Sequence, residues 1–173
     1  QAADHTQITI INDFDIGTKI NRVQYAGEWK SDQNYPDLFY NGDDHWTAPD
    51  VEPNQFESTY MEILFYGNRI RLYGNKEPMA GIQYVSIDGV KVAEIDAYAD
   101  ERELGVCLFD SENAVELTND VHVLRYQSTA GKNEASSGYN MQFDYAEVTA
   151  ETTGKLQYAQ FSQETYDTEV GRS

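Results

Sequence analysis

Residues 40–50, YNGDDHWTAPD, set an indole, an imidazole and three carboxylates between two strand-like runs. Asp43 and Asp44 offer acceptors, His45 a ring that donates or accepts, and Trp46 a large aromatic surface. A solvated loop has no use for a tryptophan. Either Trp46 folds back into a core, or the segment exists to contact something. Carboxylates recur elsewhere, with Asp13 and Asp15 in INDFDIG and Asp110 and Glu112 in DSENAVELTND. Oxygen ligands gathered from separate loops would suit a structural Ca²⁺, although no spacing resembles an EF-hand; the alternative is a solvated acidic rim.

Catalytic signatures are missing. The chain has no G-x-S-x-G elbow, H-E-x-x-H pair, P-loop or G-x-G-x-x-G. Of three histidines, only His45 falls near candidate site loops; His5 is at the start and His122 is inside a strand pattern. With 30 acidic residues, some pair reaches glycosidase spacing by chance, so paired carboxylates carry no weight. No catalysis is expected.

The 173 residues suit one domain. A formal charge of −18 disfavours nucleic acid and anionic membranes as partners. Thirteen tyrosines join apolar rings to polar tips, which suits half-buried sheets and wet binding surfaces. The single cysteine, Cys107 in LGVCLFD, excludes a disulfide framework and reads as a small buried hydrophobe. No apolar run reaches membrane-spanning length and no signal peptide is present, as expected of an interior piece of a longer protein.

The elements that must position these residues are strands. Alternation with period two recurs and helical periodicity does not. Strands are expected at 7–11, 20–27, around 59–65, 70–74, 103–110, 120–127 and 139–149. Around Asp88-Gly89, YVSIDGVKVAEI reads as a type I′ hairpin pairing Ile87 with Val90, Ser86 with Lys91 and Val85 with Val92. YGNR (66–69) reads as a second tight hairpin. The pattern predicts an all-β chain, an antiparallel β-sandwich of jelly-roll type. Residues 1–19 form an N-terminal strand and lead-in, 20–149 the sandwich, and 150–173 a linker or edge strand.

Strand parity then places the loops. With hairpins 66–69 and 88–89 at the bottom, the segments 28–57, 74–81, 98–103 and 128–139 converge on the top. There Trp46 joins Lys76, Glu77, Tyr98, Lys132, Asn133 and Tyr139. The same count puts Asp13, Asp15, Asp110 and Glu112 in bottom loops. Trp29, directly after a strand, is expected in the core; for Trp46, core and ligand contact both stand.

The ordered succession VQYAGEW, YNGDDHWT, FYGNRIRLYGNKEPMAGIQYVSIDGVKVAEIDAY and GKNEASSGYNMQFDYAEV resembles the galactose-binding-like jelly-roll modules of extracellular bacterial glycoside hydrolases. The resemblance covers about residues 20–149. It implies a secreted or cell-surface, non-catalytic carbohydrate-binding module of a Gram-positive glycosidase, holding a glycan, first of all a terminal galactoside, in loops at one end. Segments matching the family are Asp43 to Trp46, Lys76 to Pro78, Tyr98, and Lys132 with Asn133. Where the family commonly has Pro after its Lys-Asn pair, this chain has Glu134.

The residue types suit a sugar. A pyranose stacks its apolar face on an aromatic such as Trp46, Tyr98 or Tyr139. Its hydroxyls take donors and acceptors from Asp43, Asp44, Lys76, Glu77, Lys132 and Asn133. Two rivals remain: an adhesin-type domain binding host protein, and a structural jelly roll packing on a catalytic domain.

Overall fold

The computed structural model describes residues 5–47 and 58–152; Ala48, Pro49 and Asp50 of the opening stretch, and the possible edge strand after 152, lie outside them. Twelve strands are β1 (Thr6–Asn12), β2 (Arg22–Ala26), β3 (Lys30–Asp32), β4 (Asp44–Trp46), β5 (Tyr60–Gly67), β6 (Arg69–Lys76), β7 (Ile82–Ile87), β8 (Val90–Asp96), β9 (Glu103–Asp110), β10 (Asp120–Gly131), β11 (Gln142–Phe143) and β12 (Tyr145–Glu151). Short 3-10 turns at Tyr40–Gly42 and Ser111–Asn113 accompany them, and the described residues contain no α-helix.

Two sheets face each other, β1-β12-β6-β9 and β2-β5-β10-β7-β8, and a small third sheet, β11-β4-β3, lies beside them. Every ladder between strands is antiparallel. The fold is therefore an antiparallel β-sandwich, with a chain that passes repeatedly from one sheet to the other as in a jelly roll. Alternate residues face inward. Met61, Ile63 and Phe65 of β5, Ile70 and Leu72 of β6, Leu124 and Tyr126 of β10, and Ala146 and Val148 of β12 fill one continuous core. Strand β1 pairs with β12 over its whole length, so Thr6–Asn12 belongs to the sandwich.

The Asp88-Gly89 turn forms as its chemistry dictates, with φ of 52° and 83°. Ile87 pairs with Val90 and Ser86 with Lys91, but a bulge follows and Val85 faces Ala93 instead of Val92. The expected hairpin at 66–69 is a corner. Strand β5 belongs to one sheet and β6 to the other, joined through Asn68 alone. A Cβ on Gly67 would lie 2.4 Å from the Thr149 carbonyl oxygen, so only glycine lets the chain turn there. The strand expected at 139–149 is broken into β11 and β12 at Asp144, and the pieces enter different sheets.

The registers fix which end each connection occupies. If β5 descends, β6, β8, β10, β2 and β1 rise, while β7, β9 and β12 descend. Residues 27–47 and 58–59, with segments 77–81, 97–102 and 132–144, thus share the top, as parity predicted. Because β1 and β2 both rise, the residue after β1 also lies at the top. Asp13 is there, not in a bottom loop.

Cys107 is exposed on edge strand β9, not buried. Trp29 packs against the core with its ring tilted 58° to that of Tyr25 and donates its indole N–H to the Ala26 carbonyl at 2.9 Å.

Candidate functional site

Alternation along β4 divides the opening segment in two. Asp44 and Trp46 point to one side and His45 to the other, giving a cleft and, behind it, a buried acidic cluster.

The cleft, about 270 Å³, lies between the small sheet and the top of β6. Asp32 and Asp44 face each other across the β3–β4 ladder, and Trp46 stands next along β4. Its indole N–H donates to Asp32 at 2.9 Å, and the Lys30 ammonium lies 5.2 Å from the ring centroid. Trp46 is half-buried, so its ring is a wall of the cleft and not part of the core. Asn75, Glu77, Pro78 and Met79 come from the end of β6 and the turn beyond it, Arg102 from the loop before β9, and Asn140 and Gln142 from the stretch entering β11.

A polar network ties these pieces together. Gln142 donates to Asp44 at 2.9 Å while its side-chain oxygen accepts the Asn75 amide at 2.7 Å. Glu77 receives the side-chain amides of Asn75 at 2.8 Å and Asn140 at 2.7 Å. Gln83 donates to the Asn140 carbonyl at 3.1 Å. Buried amides in so dense a set hold one geometry, since a broken bond would strand a polar group away from water. Two buried acceptors remain without a hydrogen-bond partner in the lining, Asp44 Oδ1 and Asn140 Oδ1. Burial pushes the Asp44 carboxyl up to about 6; Gln142 and Arg102 pull it down, and the adjacent Asp32 adds to the rise.

Behind the cleft, Asp13, Asp43, His45 and Asp144 are buried together. The His45 ring stacks on Tyr25 at 4.1 Å, touches Phe14 at 4.5 Å, and meets Asp13 at 2.6 Å. Burial, a hydrogen bond with Asp43 and the charges of Asp43, Asp144 and Asp44 hold Asp13 protonated, up to about 10. Burial lowers His45 to about 4 despite the charge of Asp43. Both shifts disfavour the charged forms across the short contact between Asp13 Oδ2 and His45 Nδ1. Asp144 accepts the Tyr40 amide at 3.1 Å, and burial with Asp44 and Asp43 nearby raises it to about 7.

Of the residues expected at the site, Asp44, Trp46 and Glu77 line the cleft. Asp43 and His45 belong to the cluster behind it. Lys76 pairs opposite Glu103 between Asn75 and Glu77, and alternation turns it from the cleft. Lys132 donates to the Ser136 carbonyl at 2.9 Å. Asn133 gives its amide to Asp96 at 2.9 Å and accepts from the Ala135 N–H at 3.0 Å. Tyr98 bridges the Glu77 backbone, and Tyr139 packs its backbone against Gly81. None of these five lines the cleft. They brace the loops instead: Ser136 binds the Pro78 and Ala80 carbonyls, so the 132–138 loop does converge on 77–81.

The expected calcium ligands do not assemble. Asp110 is held by Arg69 at 2.6 Å and Arg71 at 3.2 Å, and Glu112 by Arg69 at 2.9 Å, at the bottom. Asp13 is bonded to His45 at the top, and Asp15 accepts the Asn12 amide at 2.9 Å. Among the described residues no group of three or more His, Cys, Asp or Glu side chains is placed to hold a metal ion. The arginines already neutralise the bottom pair.

Sequence reasoning missed Asp32, Asn75, Arg102, Asn140 and Gln142. A signal existed. In YNMQFD, Met141 and Phe143 carry the apolar face, and the alternate positions 140 and 142 are both amides, each able to donate and accept on the other face.

Fold and cleft together define an antiparallel β-sandwich with a pocket walled by Trp46, amides and carboxylates among the loops at one end. No protein-family model matches the sequence, and no curated protein does either. Among solved structures the chain is similar to a xanthan lyase of Paenibacillus, determined to 2.6 Å, with a TM-score of 0.50 and 16% identity. The likeness covers 84% of this chain and 17% of that one, and at such identity it is a likeness of fold.

Proposed function

We propose that this sandwich is a non-catalytic carbohydrate-binding module that holds a sugar in the cleft beside Trp46. The carrying observation is the cleft's composition: a half-buried indole wall against a braced floor of amides and carboxylates with acceptors left open. A pyranose needs that combination, an aromatic face for its C–H surface and fixed polar groups for its hydroxyls. The fold likeness to a segment of a xanthan lyase fits a domain carried by a larger polysaccharide-acting enzyme. A galactoside is the first ligand to try, and a secreted Gram-positive glycosidase the parent type. A module of this size contributes through avidity with its neighbours.

A glycan array of galactose-terminated and mucin-type ligands tests this, with Trp46→Ala beside the parent. Binding that vanishes in the variant while its melting temperature falls only slightly is the expected result. A blank array with the folded protein refutes the reading.

A further inference from the structure

The lining of the cleft is asymmetric in its hydrogen-bonding capacity. Its side-chain N–H groups turn toward its own carboxylates: Trp46 donates to Asp32, Gln142 to Asp44, and Asn75 and Asn140 to Glu77, each amide through one of its two N–H bonds. The amide orientations follow from those bonds, since only the NH₂ end donates to a carboxylate. The buried atoms left open are both acceptors. One is a carboxylate oxygen of Asp44, a residue 2% exposed; the other is the amide oxygen of Asn140, 5% exposed. Three carboxyl groups, Asp32, Asp44 and Glu77, face a single guanidinium, that of Arg102. Arg102 stands exposed at the rim, 5.7 Å above the Phe39 ring, and the Lys30 ammonium stands 5.2 Å from the Trp46 ring centroid.

A hydroxyl brings one donor and two acceptors, so it answers this lining in part. An ammonium brings three donors, no acceptor and a positive charge. An acetamido group gives up the charge and brings one N–H and a carbonyl in place of the three donors. A uronate carboxylate would meet Asp32, Asp44 and Glu77.

The geometry points to a sugar bearing a free ammonium group, a hexosamine, as the preferred ligand of this cleft, seated with its amine toward the carboxyl-rich floor of Asp32, Asp44 and Glu77 and its ring against Trp46. This rests on the carbohydrate-binding reading above and narrows it to a substrate class.

The test compares methyl glycosides on one galactopyranose skeleton, carrying at C2 a hydroxyl, an ammonium or an acetamido group, together with galacturonate. Each is titrated near neutral pH by NMR, so that the Trp46 indole resonance reports the site as well as the affinity. The amino sugar should bind about tenfold tighter than the acetamido sugar, with galacturonate weakest. Asp44→Asn turns an acceptor into a possible donor and should bring the two within about twofold. Glu151→Gln, an exposed change of equal charge at the opposite end, should leave the preference intact and so removes the general attraction of an acidic protein for amines as an explanation. Equal binding of amino and acetamido sugars, or a preference that persists in Asp44→Asn, overturns the hexosamine assignment and leaves the glycan reading standing. If no sugar shifts any resonance of the folded protein, the glycan reading itself fails. Should Asp44→Asn not fold, the ranking of the four ligands on the parent protein still decides.

Discussion

Buried carboxyls held neutral should make this acidic protein more stable in mild acid than at pH 8, and Asp144 gives the cleanest measure. Its folded value is raised from 3.8 to about 7 by burial beside Asp44 and Asp43. A raised acid binds its proton more tightly in the folded state. Its contribution is therefore fully present below about pH 4 and is lost as pH climbs through about 7. With those two values, proton linkage stabilises the fold by about 3 kcal/mol at pH 5 and by next to nothing at pH 8.

Asp44, raised to about 6, and Asp13, raised to about 10, act in the same direction. His45 acts in the opposite one. Its value, lowered from 6.5 to about 4, costs stability as pH falls through that interval. One imidazole offsets one carboxyl, and three carboxyls oppose it. Asp144→Asn isolates the effect, because the amide oxygen still accepts the Tyr40 N–H but cannot titrate. Urea denaturation at pH 5 and pH 8 should show the variant gaining about 2 to 3 kcal/mol on the parent between the two conditions. Parallel behaviour, with the difference constant to about 0.5 kcal/mol, would show that Asp144 titrates normally and that the cluster is hydrated or otherwise compensated.

Other substitutions separate bracing from binding. Asn133→Ala loses bonds to Asp96 and Ala135 at an exposed position, so it should cost no more than about 1 kcal/mol of stability and leave sugar affinity unchanged; a binding loss above about tenfold would put Asn133 in the site. Gly67→Ala drives a methyl toward the Thr149 carbonyl and should destabilise by about 3 kcal/mol or more in a thermal melt, whereas a tolerated alanine would mean that the corner opens freely. Cys107 should be alkylated in the folded protein by a maleimide, and faster as pH rises, because partial desolvation and the Asp110 charge hold its thiol above the usual range; protection until unfolding would place β9 beneath other structure.

What the sequence made legible was what depends on neighbours in the chain. The Asp88-Gly89 turn needs two positive φ angles in succession, and that demand is written in two residues. The inward faces of β5 and β6 follow from alternation alone. Features set by pairing between distant segments were hidden. Nothing local distinguishes a hairpin at 66–69 from a corner between sheets; only the approach of Thr149 to Gly67 decides it. Nothing local says that β1 and β2 run the same way, yet that one fact moves Asp13 from a bottom loop to the cluster behind the cleft.

The candidate site was half legible for the same reason. Parity brought the right four loops to one end, but which face of each loop looks into the cleft depends on the period of two in short strands unseen as strands. Asp44 and Trp46 face in while His45 faces out; Asn75 and Glu77 face in while Lys76 faces out. The residues picked for their chemistry as free donors, Lys132 and Asn133, turn out to spend it on the protein. Bracing of that kind is itself part of recognition. A cleft floor built from Asn75, Glu77, Asn140 and Gln142 discriminates between a hydroxyl, an amine and an amide only if its own amides cannot rotate to suit each. The loops that hold residues 77–81 and 132–138 together are what keep them from doing so.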